Sequence, residues 1–226
     1  MTLKLTFLGH AGYLLETANH KVAIDPYLTD NPVAVMKAEE LDCTHIVVTH
    51  GHFDHFADVP AIAKRTGATV VAPVEICEYL SSDEGGNHEK CEPGAPGGKI
   101  VTDFGFVAFV QAMHGSSFKG RYMGPACGVV VQIGGKKLYH AGDTALFSDM
   151  KLIGENFVPD VAILPVGDRF TMGPELATQA AELVGAPLAI PCHYGTWPAL
   201  AQDIATFKPV GIEVRDLKAG ESIELV

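Results

Sequence analysis

The sequence predicts an α/β protein built from two β-sheets with helices packed outside them. Three observations carry this. Short β-rich runs alternate with helical patterns along the chain. The second half repeats the style of the first with shifted detail, without a fixed-period repeat or a domain boundary, so residues 1–226 read as one domain. Val161–Leu164 and Leu188–Ile190 are short and wholly apolar, the pattern of strands covered on both faces.

Leu3–Leu8, Tyr13–Glu16 and Lys21–Ile24 read as consecutive strands, with turn signals at Gly12 and Ala18-Asn19-His20. Ile46-Val47-Val48 is a further strand. Asp58–Arg65 reads as a helix because Val59, Ile62 and Ala63 share one face. Thr69–Ala72 is a strand, and Glu75–Leu80 a short helix started by Pro73. Ser81–Lys99 is rich in Gly, Pro, Ser and charge and reads as the one long loop, expected to be mobile and to cover the site or a subunit contact. Phe106–Ala112, Gly128–Ile133 and Lys137–His140 are strands, the last two joined across Gly134-Gly135. Phe147–Ile153 and Pro174–Val184 read as helices, the second with Pro at its start and Gly185 just past its end. Ala199–Phe207 reads as a last helix, and Ile212–Arg215 and Ser222–Leu225 as closing strands.

A chain of 226 residues buries roughly 70% of its unfolded surface, enough for a full core. The net charge of −11, with no run of Lys or Arg, argues against a nucleic-acid or anionic-membrane partner. The five cysteines include no Cys-x-x-Cys pair, which fits a reducing cytoplasm. The N-terminus lacks the apolar core of a signal peptide, and no apolar run approaches a membrane span.

The chemistry lies in the histidines. His50, His52 and His55 fall within Thr49-His50-Gly51-His52-Phe53-Asp54-His55, between a strand and a helix. In an extended loop residues two apart share a face, so His50 and His52 meet one ion while Asp54 and His55 turn toward a second position. Imidazole and carboxylate suit borderline divalent metals. His114, Asp143 and His193 each lie just beyond the C-terminal end of an apolar strand, as do His10 and Asp25. Sites in α/β folds gather at such ends. His140 reads as a residue buried in its sheet, His45 as a strand residue, and His20 and His88 as exposed. Lys119 and Arg169 lie in loops near the strand ends, where either solvates its charge or holds a substrate anion.

The motif His50-x-His52-x-Asp54-His55, with the later His114, Gly142-Asp143-Thr144 and His193, resembles the metallo-β-lactamase superfamily along nearly the whole chain. Gly9-His10-Ala11-Gly12, Ile24-Asp25-Pro26, Phe170-Thr171-Met172-Gly173-Pro174 and Pro191-Cys192-His193-Tyr194-Gly195-Thr196 resemble its branch of metal-dependent hydrolases similar to ascorbate-6-phosphate lactonases. The resemblance implies an αββα sandwich of two mixed sheets flanked by helices. It implies two divalent metal ions, one on His50, His52 and His114, the other on Asp54, His55 and His193, with Asp143 bridging. Zinc is the first expectation, and Mn, Fe, Co and Ni are chemically admissible. Asp54 both ligates and orients the attacking hydroxide. His10 and Asp25 act as groups supporting the site or touching substrate.

This implies a hydrolase that directs a metal-activated hydroxide at a small lactone, ester, amide or phosphoester. Alternatives are a mononuclear iron dioxygenase, a phosphodiesterase or nuclease, and a non-catalytic metal-binding module. The di-iron oxygen reductases of the superfamily carry Glu where this chain has His52, and its RNA-processing branches carry inserted domains or basic arms that this chain lacks. A homo-oligomer is a further expectation.

Overall fold

The computed structural model describes residues 2–226. Strands β1 (Leu3–Gly9), β2 (Gly12–Glu16) and β3 (Lys21–Ile24) form an antiparallel meander, which β4 (His45–Val47) extends in parallel. Helices α1 (Phe53–Phe56) and α2 (Val59–Thr66) lead to β5 (Thr69–Pro73), and α3 (Val74–Ser81) leads to β6 (Cys91–Gly94). The second half begins with β7 (Lys99–Val101) and β8 (Gly105–Gln111). The small hairpin β9 (Ser117–Phe118) and β10 (Arg121–Tyr122) follows, then β11 (Cys127–Ile133) and β12 (Lys136–His140). Helix α4 (Met150–Phe157), β13 (Val161–Pro165), α5 (Pro174–Val184), β14 (Leu188–Cys192), β15 (Glu213–Val214) and β16 (Ser222–Leu225) complete the chain.

The strands form two seven-stranded mixed sheets, ordered β16-β1-β2-β3-β4-β5-β6 and β15-β14-β13-β12-β11-β8-β7. Side-chain alternation divides each strand between two cores. Leu3, Leu5, Tyr13, Leu15, Val22 and Ile24 face the second sheet, where they meet Val107, Phe109, Val129, Leu138 and Ile163. Leu8, Leu14 and Ala23 face outward and share a core with Phe56, Ile62 and Leu80. On the other side Tyr139, Ala162 and Leu164 share a core with Ile153, Ala177 and Ala181. The result is the predicted four-layer αββα sandwich. No helix among the described residues is long and apolar enough to cross a membrane.

Five expectations need correction, the first being His88, which is buried with Nε2 3.0 Å from Ala68 O and not exposed. Ala199–Phe207 forms no helix. Its backbone is committed elsewhere: the Ala201 amide donates to Gly167 O, and Ala201 O accepts from Gly195. Ser81–Lys99 is not a lid. Part of it is β6, paired in parallel with β5, and Gly97 and Gly98 exchange backbone hydrogen bonds with Phe109, so the segment bridges the edges of the two sheets. The helix expected over Phe147–Ile153 begins at Met150 and runs on to Phe157. It passes through Gly154, where a β-carbon would lie 2.1 Å from Val184 O, so the glycine lets α4 pack on α5. The strand expected over Ile212–Arg215 shrinks to the two residues of β15, Glu213 and Val214, which pair in parallel with Leu188 and Ala189 of β14.

Val158 caps α4 in the left-handed region, with φ 47°, and is 68% exposed. That conformation costs a β-branched residue about 1–2 kcal/mol, against the 0.5–1 kcal/mol of extra chain entropy that glycine brings. Val158→Gly is therefore expected to stabilise the fold by about 0.5–1 kcal/mol. Urea unfolding checks this, and a lower midpoint would contradict the assigned strain.

Candidate metal centre

The C-terminal ends of β1, β3, β4, β8, β12 and β14 open onto one edge of the sandwich, and the loops after them bring His10, Asp25, His50, His52, Asp54, His55, His114, Asp143 and His193 together. His50, His52, His114 and Asp143 form one group of donors, and His10, Asp54, His55 and His193 an adjacent one. In the first, His52 Nδ1 lies 3.0 Å from His50 Nε2 and 3.2 Å from His114 Nε2. Asp143 Oδ2 lies 3.5 Å from His114 Nε2 and 3.9 Å from His50 Nε2. In the second, Asp54 Oδ2 lies 3.4 Å from His193 Nε2 and 3.9 Å from His55 Nε2. Asp143 reaches this group too, with Oδ1 at 3.3 Å from His55 Nε2 and Oδ2 at 3.1 Å from His193 Nε2. One carboxylate thus faces both groups.

Gly51 makes the first turn possible. A β-carbon there would sit 2.4 Å from the Met123 β-carbon, and its amide donates to Ser116 Oγ at 3.0 Å. Between two histidines, the glycine lets the loop press onto Met123 so that His50 and His52 point the same way.

Hydrogen bonds behind the donors fix their tautomers. Asp25 Oδ2 accepts from His55 Nδ1 at 2.8 Å and from the Thr49 hydroxyl, while Oδ1 accepts from the Thr49 amide at 2.8 Å. Because the Thr49 hydroxyl proton is spent on Asp25, its oxygen accepts from His50 Nδ1, 3.0 Å away. His50 and His55 are thereby both held with Nδ1 protonated and Nε2 turned to the centre, the orientation a ligand imidazole needs. His10 Nε2 donates to Asp54 Oδ2 at 3.0 Å, and Nδ1 accepts from Thr196 Oγ1 at 2.8 Å. Asp25 and His10 are buried, and neither lines the cavity above the donors. His140 Nε2 donates to Ala11 O, and its Nδ1 accepts from the Gly142 amide, which secures the loop carrying Asp143. His140 is thus buried as expected, and its contact is with backbone beside a donor.

The electrostatics describe a site built for cations. Burial opposes ionisation of Asp54 and Asp143, yet His55, His10 and His193 hold Asp54 well below the carboxylate range, and His193 and His55 do the same for Asp143. Burial also opposes charge on His193, but Asp143 and Asp54 raise it to about 9; the same carboxylates raise His55. Burial keeps His50, His52 and His114 neutral, and burial with His193 lowers His10 to about 4. His55 Nε2, Asp143 Oδ1 and His193 Nε2 are buried with no aligned hydrogen-bond partner. Unpaired buried polar atoms cost about 1–3 kcal/mol each, and convergent imidazole and carboxylate donors fit divalent transition metals.

Above the donors lies a cavity of about 470 Å³ lined by His52, Asp54, His114, Asp143 and His193 below, and by Phe53, Phe170, Trp197 and Ala199 at its walls. Trp197 packs at a tilt against His10, with ring centroids 4.7 Å apart, and lies 5.8 Å from Phe53. Neither Lys119 nor Arg169 lines it; Arg169 lies over the Phe170 ring instead. Thr49, Thr196 and the aromatic wall escaped the sequence reading. Thr49 precedes His50, and Trp197 is the chain's single tryptophan, but neither fact names a contact.

Comparison with known proteins agrees with this architecture. The profile described as "Beta-lactamase superfamily domain" matches residues 20–194. A UPF0173 metal-dependent hydrolase of Shouchella clausii is 46% identical, covering 99% of this chain and all of that protein. One from Staphylococcus aureus is 44% identical over 98% of this chain and all of that protein. The structure of Igni18, a metallo hydrolase from Ignicoccus hospitalis, superposes with a TM-score of 0.88 at 33% identity over 100% of this chain and 99% of that one. The chain belongs to the β-lactamase superfamily, with its metallo-β-lactamase fold, and within it to the UPF0173 metal-dependent hydrolases.

A ligand imidazole must give up the proton on its ligating nitrogen. Without metal, His193 and His55 carry those protons at neutral pH, because their pKa values are raised. Metal loading near neutrality is expected to release roughly two protons per chain, and affinity to fall as pH falls. Calorimetry in buffers of different ionisation enthalpy measures this. A heat independent of buffer would remove these two residues from the ligand set.

Proposed function

We propose that the chain hydrolyses a small, uncharged acyl substrate, a lactone, ester or amide, at a centre of two divalent transition-metal ions, zinc foremost. The carrying observation is the pair of donor groups sharing Asp143 on the floor of a cavity whose walls are aromatic and apolar. His50, His52 and His114 would hold one ion and Asp54, His55 and His193 the other, with Asp143 between them. Bound there, such ions act as Lewis acids and lower the pKa of water to about 7.

The chain's own residues supply the rest. Asp54 faces the cavity and is held ionised, so one carboxylate oxygen remains to accept a hydrogen bond from the attacking water and direct its lone pair at the carbonyl carbon. His10, donating through Nε2, fixes the Asp54 carboxylate plane. Asp25 and Thr49 keep His50 and His55 aimed. Phe53, Phe170 and Trp197 exclude water and pack on the acyl part of the substrate. Phosphoesters fit less well, because no Lys or Arg among the described residues lines the cavity to pair with phosphate oxygens. The free thiols fit a reducing cytoplasm.

The test is a panel of lactones, esters, amides and phosphodiesters, assayed on protein reconstituted separately with Zn, Mn, Fe, Co and Ni. Uncharged acyl substrates are expected to give the highest kcat/KM; a preference for phosphodiesters would overturn the substrate class. With metal content matched to wild type, Asp54→Asn is expected to lose well over the roughly 10–100-fold that attends loss of a supporting residue, and His10→Ala to fall inside that range. Near-normal turnover by metal-replete Asp54→Asn would refute its role.

A further inference from the structure

At the opposite end of the sandwich His20, His45 and Asp103 converge from three separate segments. His20 ends the turn before β3, His45 opens β4, and Asp103 lies in the turn between β7 and β8. The first two belong to one sheet and the third to the other. None of them takes part in the centre described above.

Asp103 Oδ1 lies 3.5 Å from His45 Nε2 and 3.7 Å from His20 Nδ1. Both distances exceed hydrogen-bond lengths of about 2.7–3.2 Å. They approach the spacing of roughly 3.3–3.4 Å between ligand atoms around a tetrahedral zinc, whose bonds are about 2.0–2.1 Å. All three donor atoms lie within 4.8 Å of one another.

The tautomer of His45 strengthens the case. The Thr44 hydroxyl donates to Lys21 O at 2.9 Å, so its oxygen accepts from His45 Nδ1 at 3.1 Å. Neutral His45 then turns the bare lone pair of Nε2 toward a carboxylate oxygen. Two acceptors face each other, and a cation between them resolves the conflict. The side chain of His45 is only 12% exposed and its ring packs edge-on against Phe104 at 4.8 Å, which holds that lone pair in place. Burial lowers the pKa of His45, which disfavours a proton as that cation. Beside the trio an open cavity of about 310 Å³, which His20 and Asp103 help to line, leaves room for water as a fourth ligand.

We propose that His20, His45 and Asp103 form a separate structural site for one divalent transition-metal ion, typified by zinc, that clips the two sheets together at the end remote from the catalytic centre. This reading is independent of the catalytic proposal. A ligand that binds only the folded chain raises its stability by mass action, so the clip acts as a metal-dependent brace.

The test is equilibrium dialysis against zinc at neutral pH, with metal counted per chain, on wild type, His45→Ala and Asp103→Asn. Wild type is expected to hold one equivalent more than either variant, or to hold it with an affinity higher by more than the roughly 10–100-fold of a supporting contact. All three proteins should keep the remaining metal and the hydrolase activity. Added zinc should raise the melting temperature of wild type further than that of either variant. Circular dichroism and retained activity identify folded variants, and Asp103→Asn, on an exposed turn, covers the case in which His45→Ala fails to fold. Equal stoichiometry and affinity in all three overturns the proposal. So does a nitrogen-15 spectrum in which His45 Nε2 is protonated and unmoved by zinc, the signature of an ion pair with Asp103.

Discussion

The inward faces of the two sheets must stay dry, and most of the architecture follows from that constraint. Leu3, Leu5, Leu15 and Ile24 on one sheet and Val129, Ile133, Leu138 and Ile163 on the other are fully buried. Face-to-face packing of this kind fixes where the strands end, and so places the residues after β3, β4, β8, β12 and β14 along one rim. A side chain on a loop anchored by such strands inherits their rigidity. The donor groups are therefore a consequence of the packing, although no donor contributes to it.

The rim pays for its geometry in strain and in buried charge. His10, Asp25 and His193 all adopt left-handed backbone conformations, with φ of 59°, 43° and 57°. Conformations of this kind cost about 1–3 kcal/mol each and persist only where the surroundings impose them. Here His10 O accepts from the His193 amide at 2.7 Å, so two of the strained residues hold each other across the gap between sheets. Around them lie the carboxylates of Asp25, Asp54 and Asp143, all buried and all set among imidazoles. Without the histidines, burial would push Asp54 and Asp143 toward neutrality; with them, both stay ionised and face the cavity.

The two ends of the sandwich differ in how their polar groups are held. At the rim of the metal centre several groups have a partner behind them: Asp25 and Thr49 behind His55 and His50, Thr196 behind His10, and His140 behind the Asp143 loop. At the far end only Thr44 backs His45, and Asp103 is largely exposed. That contrast is what the proposed hydrolytic centre at one end and the proposed metal clip at the other would require.

The strands, the helix from Pro174 to Val184 and the His50–His55 motif were legible because each is a local pattern: alternation, a cap, or ligands a few residues apart. The set His114, Asp143 and His193 was legible through its position after apolar strands and its resemblance to known proteins. What the sequence could not determine depends on contacts between distant segments. Asp25 holds His55 across 30 positions, and Thr196 holds His10 across 186. Trp197, Phe53 and Phe170 form one wall although nothing in the chain links them. Ala199–Phe207 has the composition of a helix, but the Ala201 amide and carbonyl are taken by Gly167 and Gly195. Ser81–Lys99 has the composition of a free loop, but it is pinned to β5 and to Phe109. Local propensity is worth a few tenths of a kcal/mol per residue, and tertiary hydrogen bonding and burial outweigh it wherever the two disagree.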